Sequence, residues 1–115
     1  MKQIRFLQST AQGKVDGLMR FIGKDIFIKI TNKQYLDAIL NKLRAKGAII
    51  QKGAHGEWIK IDIFKGEKFA KIGEFEMDLE EDSPKLIEEN LAKFYIEQYR
   101  KGGFYVEMQN TEKDR

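Results

Sequence analysis

The stretch 26-IFIKITNKQYLDAILNKLRAKGAIIQ-51 decides how the rest of the chain is read. Its first five residues alternate, which puts Ile26, Ile28 and Ile30 on one face of a strand and Phe27 and Lys29 on the other. Thr31 or Asn32 can cap a helix. Over 33–46, Tyr35, Leu36, Ile39, Leu40 and Leu43 recur at helical spacing. A basic last turn complements the helix dipole, and Gly47 supplies the left-handed residue that ends the helix. The apolar run 48-AIIQ-51 follows at once and predicts a strand. The stretch is therefore a strand, a helix and a strand with short connections.

Upstream, 3-QIRFLQ-8 and 15-VDGLMRFI-22 read as strands around a polar loop, 9-STAQGK-14, and Gly17 suggests a bulge. The turn 23-GKD-25 then leads into the strand at Ile26. Downstream, 52-KGAHG-56 turns a hairpin into 57-EWIKIDIF-64, where Ile59, Ile61 and Ile63 alternate with Trp58, Lys60, Asp62 and Phe64. A longer strand is expected over 69-FAKIGEFEMDL-79, bent at Gly73, with Phe69, Phe75, Met77 and Leu79 on one face.

In 80-EEDSP-84, Ser83 is the expected N-cap and Pro84 the first helical residue. This second helix should reach about Lys101, where Gly102 and Gly103 stop it. The strand 104-FYVEM-108 and a polar tail, 109-QNTEKDR-115, expected to be disordered, complete the chain.

The order β, β, β, α, β, β, β, α, β predicts a single α+β domain over 1–108. Its sheet should be mixed or antiparallel, with two helices mainly on one face. The strand–helix–strand pattern of 26–51 returns over 69–108. Two such units in one sheet make a ferredoxin-like (split βαβ) arrangement, here with an added N-terminal hairpin.

Composition narrows the chemistry. The 115 residues suit one domain with one core. There is no cysteine, which excludes disulfides, thiolate zinc sites and a cysteine nucleophile. No run of about 18 apolar residues predicts a membrane helix, and no apolar core marks the first residues as a signal peptide, so a cytoplasmic protein is expected. Net charge is +3, but it is unevenly spread. Residues 1–60 hold 12 Lys or Arg against 4 Asp or Glu, and residues 61–115 hold 9 against 14. Such asymmetry points to nucleic acid, to an acidic partner, or to association of one copy with another.

Catalytic motifs are scarce. The single His55 has no second His, no Cys and no nearby nucleophile to serve, so neither zinc nor acyl-transfer chemistry is indicated. Ser9 and Ser83 are the only serines, and Ser83 is committed to a cap. The glycines form no phosphate-binding loop. The run 78-DLEED-82 lacks the spacing of a calcium loop, and its acids suit a helix N-terminus. A non-enzymatic protein without cofactor or metal is the expectation, and the alternative it leaves open is carboxylate or lysine catalysis, which would require a deep pocket lined by perturbed titratable groups.

Binding is better supplied. The outer face of the first helix presents Lys33, Lys42, Arg44 and Lys46 to phosphates. Lys52, His55 and Trp58 form a hairpin contact, and Lys60 adds charge. Trp58 and Lys60 face away from the isoleucines of their strand, and Phe27 and Lys29 share that phase. Together they would form an aromatic and basic platform on which bases stack.

Two short resemblances point the same way. The segment 26-IFIKIT-31 resembles the short motif on the first strand of RNA recognition motif domains. The longer motif is matched only in part by 65-KGEKFAKIGEF-75, where Lys71 stands in an aromatic position. The run 36-LDAILNKLRAKGAIIQKGAHGEWIKI-61 resembles the recognition helix and wing of winged-helix proteins, although 15–30 reads as strand where that family has helices. The expectation is a small accessory or regulatory module that binds nucleic acid through its basic N-terminal half. The alternative is a protein-interaction or inhibitory module, homodimeric or with another partner, that uses Trp58 and Phe64 on an aromatic strand face.

Overall fold

The computed structural model describes residues 1–8 and 15–110. The predicted loop over 9–14 and residues 111–115 of the predicted tail lie outside the described residues. The elements are β1 (Lys2–Leu7), β2 (Val15–Ile22), β3 (Asp25–Ile30), α1 (Lys33–Ala45), β4 (Ile49–His55), β5 (Trp58–Asp62), β6 (Phe69–Ile72), β7 (Phe75–Asp78), α2 (Pro84–Lys101) and β8 (Tyr105–Asn110). They form one α+β domain.

Six strands make one sheet in the order β4-β5-β3-β2-β1-β8, and β6 pairs with β7 in a separate two-stranded sheet. Every pairing is antiparallel. Since β5 lies antiparallel to both β3 and β4, those two strands run parallel with β5 between them. The β3–α1–β4 crossover is thus a split unit, as 26–51 predicts.

The second expected unit does not form in the same sheet. Instead of one bent strand over 69–79, the chain folds back at Gly73 (φ 59°), and Ile72 pairs with Phe75 across a two-residue turn. Glycine tolerates that backbone where a Cβ would be strained. The reversal also separates residues expected to share a face. Phe69 pairs with Asp78 and is 64% exposed, whereas Met77 and Leu79 are buried. After α2 the chain therefore adds β8 to the far edge, beside β1. The winged-helix comparison fails on the same topology, because residues 15–30 form β2 and β3.

Helix starts follow the predicted caps. The Asn32 side chain accepts from the Tyr35 N–H at 3.1 Å, and Ser83 Oγ accepts from the Leu86 N–H at 3.2 Å. Asn32 Nδ2 also donates to the buried Asp16 carboxylate at 3.4 Å, and the Thr31 N–H donates to the Asp16 carbonyl at 2.8 Å. The register of β1 against β2 shifts beside Gly17, so the suspected bulge also anchors the first turn of α1. The acids before α2 bond backbone instead of capping it: Asp78 accepts the N–H groups of Glu80 and Glu81, and Asp82 accepts that of Asp78.

Both helices cover one sheet face. Ile4, Phe6, Met19, Phe21, Ile26, Ile28 and Ile61 point into the core formed with Ile39, Leu43, Leu91 and Tyr95. Phe64 joins that core at 3% exposure. The strand ends at Asp62, whose carboxylate accepts the N–H groups of Phe64 and Lys65, and this turn breaks the alternation that predicted Phe64 on the outer face. Gln109 and Asn110, predicted as tail, pair with Gln3 and Lys2 in the sheet.

Candidate binding face on the open side of the sheet

Strand alternation sends every second residue of the large sheet away from the helices. One line of paired residues crosses all six strands on that side: Gln109, Gln3, Arg20, Phe27, Lys60 and Gln51. Beside it lie Glu107, Arg5, Leu18 and Lys29, and the His55–Trp58 pair next to the β4–β5 turn. No described helix packs on this side.

Trp58 is the centre of the arrangement. The Arg20 guanidinium carbon stands 4.3 Å from the centroid of its ring, and Lys29 Nζ stands 5.3 Å away. Phe27 meets the His55 ring edge to face at 5.4 Å. Arg20, Ile22, Phe27, His55 and Trp58 enclose a shallow depression of about 190 Å³. Two short hairpin turns create this neighbourhood. Gly23 (φ 59°) and Gly56 (φ 65°) let β2–β3 and β4–β5 reverse in two residues, which fixes the register that sets Arg20 and Trp58 face to face.

The electrostatics favour an anion. Arg20 Nε donates to Gln3 Oε1 at 3.0 Å, and among the described residues no carboxylate lies within 4 Å of its guanidinium. Lys29 reaches the exposed Glu57 only at 3.8 Å and Lys60 reaches Asp25 only at 4.0 Å, both weak solvent-screened pairs. Arg5 is different, since Glu107 holds it directly. Arg20, Lys29 and Lys60 are thus the available cations, all from the basic half of the chain.

The predicted binding residues divide between two sides. Trp58, His55 and Lys60 share the open face, together with Phe27 and Lys29. Lys52 is exposed on the bulged edge strand β4, next to Gly53. Lys33, Lys42 and Arg44 sit on α1 and Lys46 is its C-cap, across the sheet from Trp58. There Lys33 pairs with Asp37 at 3.5 Å, Arg44 contacts Asn41, and Lys46 Nζ lies 5.9 Å from the Phe94 ring.

Arg20, Gln3 and Gln51 were missed in the sequence. The alternation of 15-VDGLMRFI-22 sets Arg20 opposite Met19 and Phe21, so its face was readable. Its neighbours were not, because they depend on strand order. Comparison with known proteins finds no family model, curated protein or solved structure that matches this chain.

Proposed function

We propose that this protein binds single-stranded nucleic acid on the open face of its six-stranded sheet. The observation that supports this most is the grouping around Trp58: a large ring and Phe27 among Arg20, Lys29 and Lys60, on a face without a helix. Aromatic rings accept bases of any sequence by stacking, worth about 1–3 kcal/mol per base, while cations track the phosphates. The Arg20 guanidinium over the ring adds a planar cation that can itself meet a base. Gln3 is buried and spent on Arg20 and Gln109, so the amides left to donate to and accept from base edges are the exposed Gln51 and the remaining donor of Gln109.

An open sheet face suits a splayed single strand better than a duplex, whose bases are turned inward. The α1 cations lie on the other side, so a short oligonucleotide does not reach them and Trp58 together. The protein acts in this reading as an accessory module and performs no chemistry on its ligand.

The test is a titration with single-stranded RNA, single-stranded DNA and duplex DNA at about 50 and 200 mM salt, following ligand anisotropy and the emission of the sole tryptophan. Several neutralised phosphates should weaken binding at least about tenfold between those salts. Quenching of Trp58 with single strands is the expected result. No binding at the lower salt sinks the proposal.

A protein partner is the second reading, favoured by Ile22 (46% exposed) and Tyr105 (45% exposed) on the same face. Apolar anchors of this kind form interface hot spots. Complexes of that type persist as salt rises, which separates them from nucleic acid.

A further inference from the structure

On the helix side of the sheet, α1 and α2 stand apart and leave a groove of about 280 Å³ lined by Lys42, Leu43, Lys46, Tyr95, Gln98 and Tyr99. Tyr95 and Tyr99 are 6% and 5% exposed, and their rings are fixed against Phe21 and Phe6 in the core. Neither hydroxyl has a hydrogen-bond partner among the described residues, and neither is sealed from solvent. Both residues line the groove, and neither hydroxyl is committed to another described group of the protein.

Burial pushes both phenols up, Tyr95 to about 12, so they remain protonated and able to donate. The two ammonium groups at the rim complete the picture. Lys42 Nζ leans toward Gly102 at the C-terminal end of α2, and Lys46 lies over Phe94. Among the described residues neither forms an ion pair, and no acid lines the groove. Leu43 and the tyrosine rings make the floor apolar.

We infer that the groove between α1 and α2 binds a small organic carboxylate with an apolar body, its carboxylate held by the Tyr95 and Tyr99 hydroxyls and the Lys42 and Lys46 ammonium groups. A carboxylate accepts several hydrogen bonds at once, and charge-assisted bonds are the strong ones. A fully polar anion would leave the leucine and aromatic floor unused. Space for roughly nine heavy atoms, at about 30 Å³ each, matches a medium-chain or monocyclic acid. The groove is across the sheet from Trp58, so this site stands or falls independently of nucleic-acid binding.

Octanoate is a suitable probe, with octan-1-ol and octylammonium as uncharged and cationic counterparts, measured by calorimetry and ligand-observed saturation-transfer NMR. Octanoate should bind saturably, at least about tenfold more tightly than either counterpart. The double variant Tyr95→Phe, Tyr99→Phe keeps the rings and loses only unpartnered hydroxyls, so it should fold normally and bind octanoate at least about tenfold more weakly. The variant Lys42→Gln, Lys46→Gln should weaken octanoate and leave octan-1-ol unchanged. Absence of saturable octanoate binding at millimolar concentration overturns the inference. Equal affinity for octan-1-ol, or unchanged octanoate affinity in the phenylalanine variant, does the same.

Discussion

Arg20 on β2 and Trp58 on β5 are neighbours although β3 separates their strands, with the guanidinium carbon 4.3 Å from the ring centroid. The contact spans Phe27 and Lys29 and organises the open face. Arg20→Gln should move the tryptophan emission by removing the charge over the ring. It should also weaken single-strand binding and reduce the salt slope by about one, as expected for one lost phosphate contact. Trp58→Ala should cost about 1–3 kcal/mol of binding, one stacked base, with a smaller effect on the salt slope.

The α1 cations provide the contrast. Lys33 and Arg44 are exposed on the opposite side of the domain. Lys33→Gln with Arg44→Gln should leave the affinity for a short single strand within about twofold, because charges more than a Debye length of about 10 Å away are screened at 0.1 M salt. A tenfold loss in that variant, measured by anisotropy, would move the binding face to the helix.

Gly17 is required for close approach. A Cβ there would lie 2.6 Å from Ile30 Cγ1 and 2.9 Å from the Ile30 Cα, and backbone cannot swing aside as a side-chain tip can. Gly17→Ala should therefore destabilise the domain by about 1–3 kcal/mol, read as a lower urea midpoint at unchanged slope.

Arg100 guards an edge of the sheet. From α2 its Nε and Nη2 donate to the Val106 carbonyl at 3.3 and 3.1 Å, and Val106 lies on the edge strand β8. A carbonyl already engaged cannot template pairing with another chain. Arg100→Met should increase self-association with concentration, seen by light scattering, and lower stability by about 1–2 kcal/mol. At the other edge, the bulge in β4 interrupts the ladder between Gln51 and His55 and serves the same end.

Alkaline pH should unfold the protein through its buried phenols. Burial raises Tyr95 to about 12, and Tyr99 is raised by burial and by Tyr95 beside it. The folded state holds these protons more tightly than the unfolded chain, whose tyrosines titrate near 10. Their contribution to stability is complete below pH 10 and is lost as pH climbs toward 12. Urea titrations at pH 9, 10 and 11 should show a falling midpoint, and Tyr95→Phe with Tyr99→Phe should flatten the decline.

The elements themselves were legible because local chemistry dictates them. Alternation in 26-IFIKI-30 set the core face of β3, Asn32 and Ser83 marked the helix starts, and Gly47 and Gly102 marked the stops. The phase of Trp58, Lys60, Phe27 and Lys29 was also readable, since a strand has only two faces. Local rules failed where one residue served two arrangements. Gly73 satisfies both a bend and a tight reversal, and Phe64 keeps its phase only if the strand continues past Asp62. Packing chose the reversal and the turn, burying Met77 and Phe64.

Strand order was beyond the sequence for a related reason. Any apolar-faced strand can pair with several others, and the choice depends on which pairing buries most surface against the helices. That choice placed the β1–β2 hairpin between β3 and β8, set Arg20 against Trp58, and sent the α1 lysines to the far side. The sequence determined which residues could bind; only the tertiary structure decided which of them share a face, because proximity between distant segments is a property of packing and not of spacing.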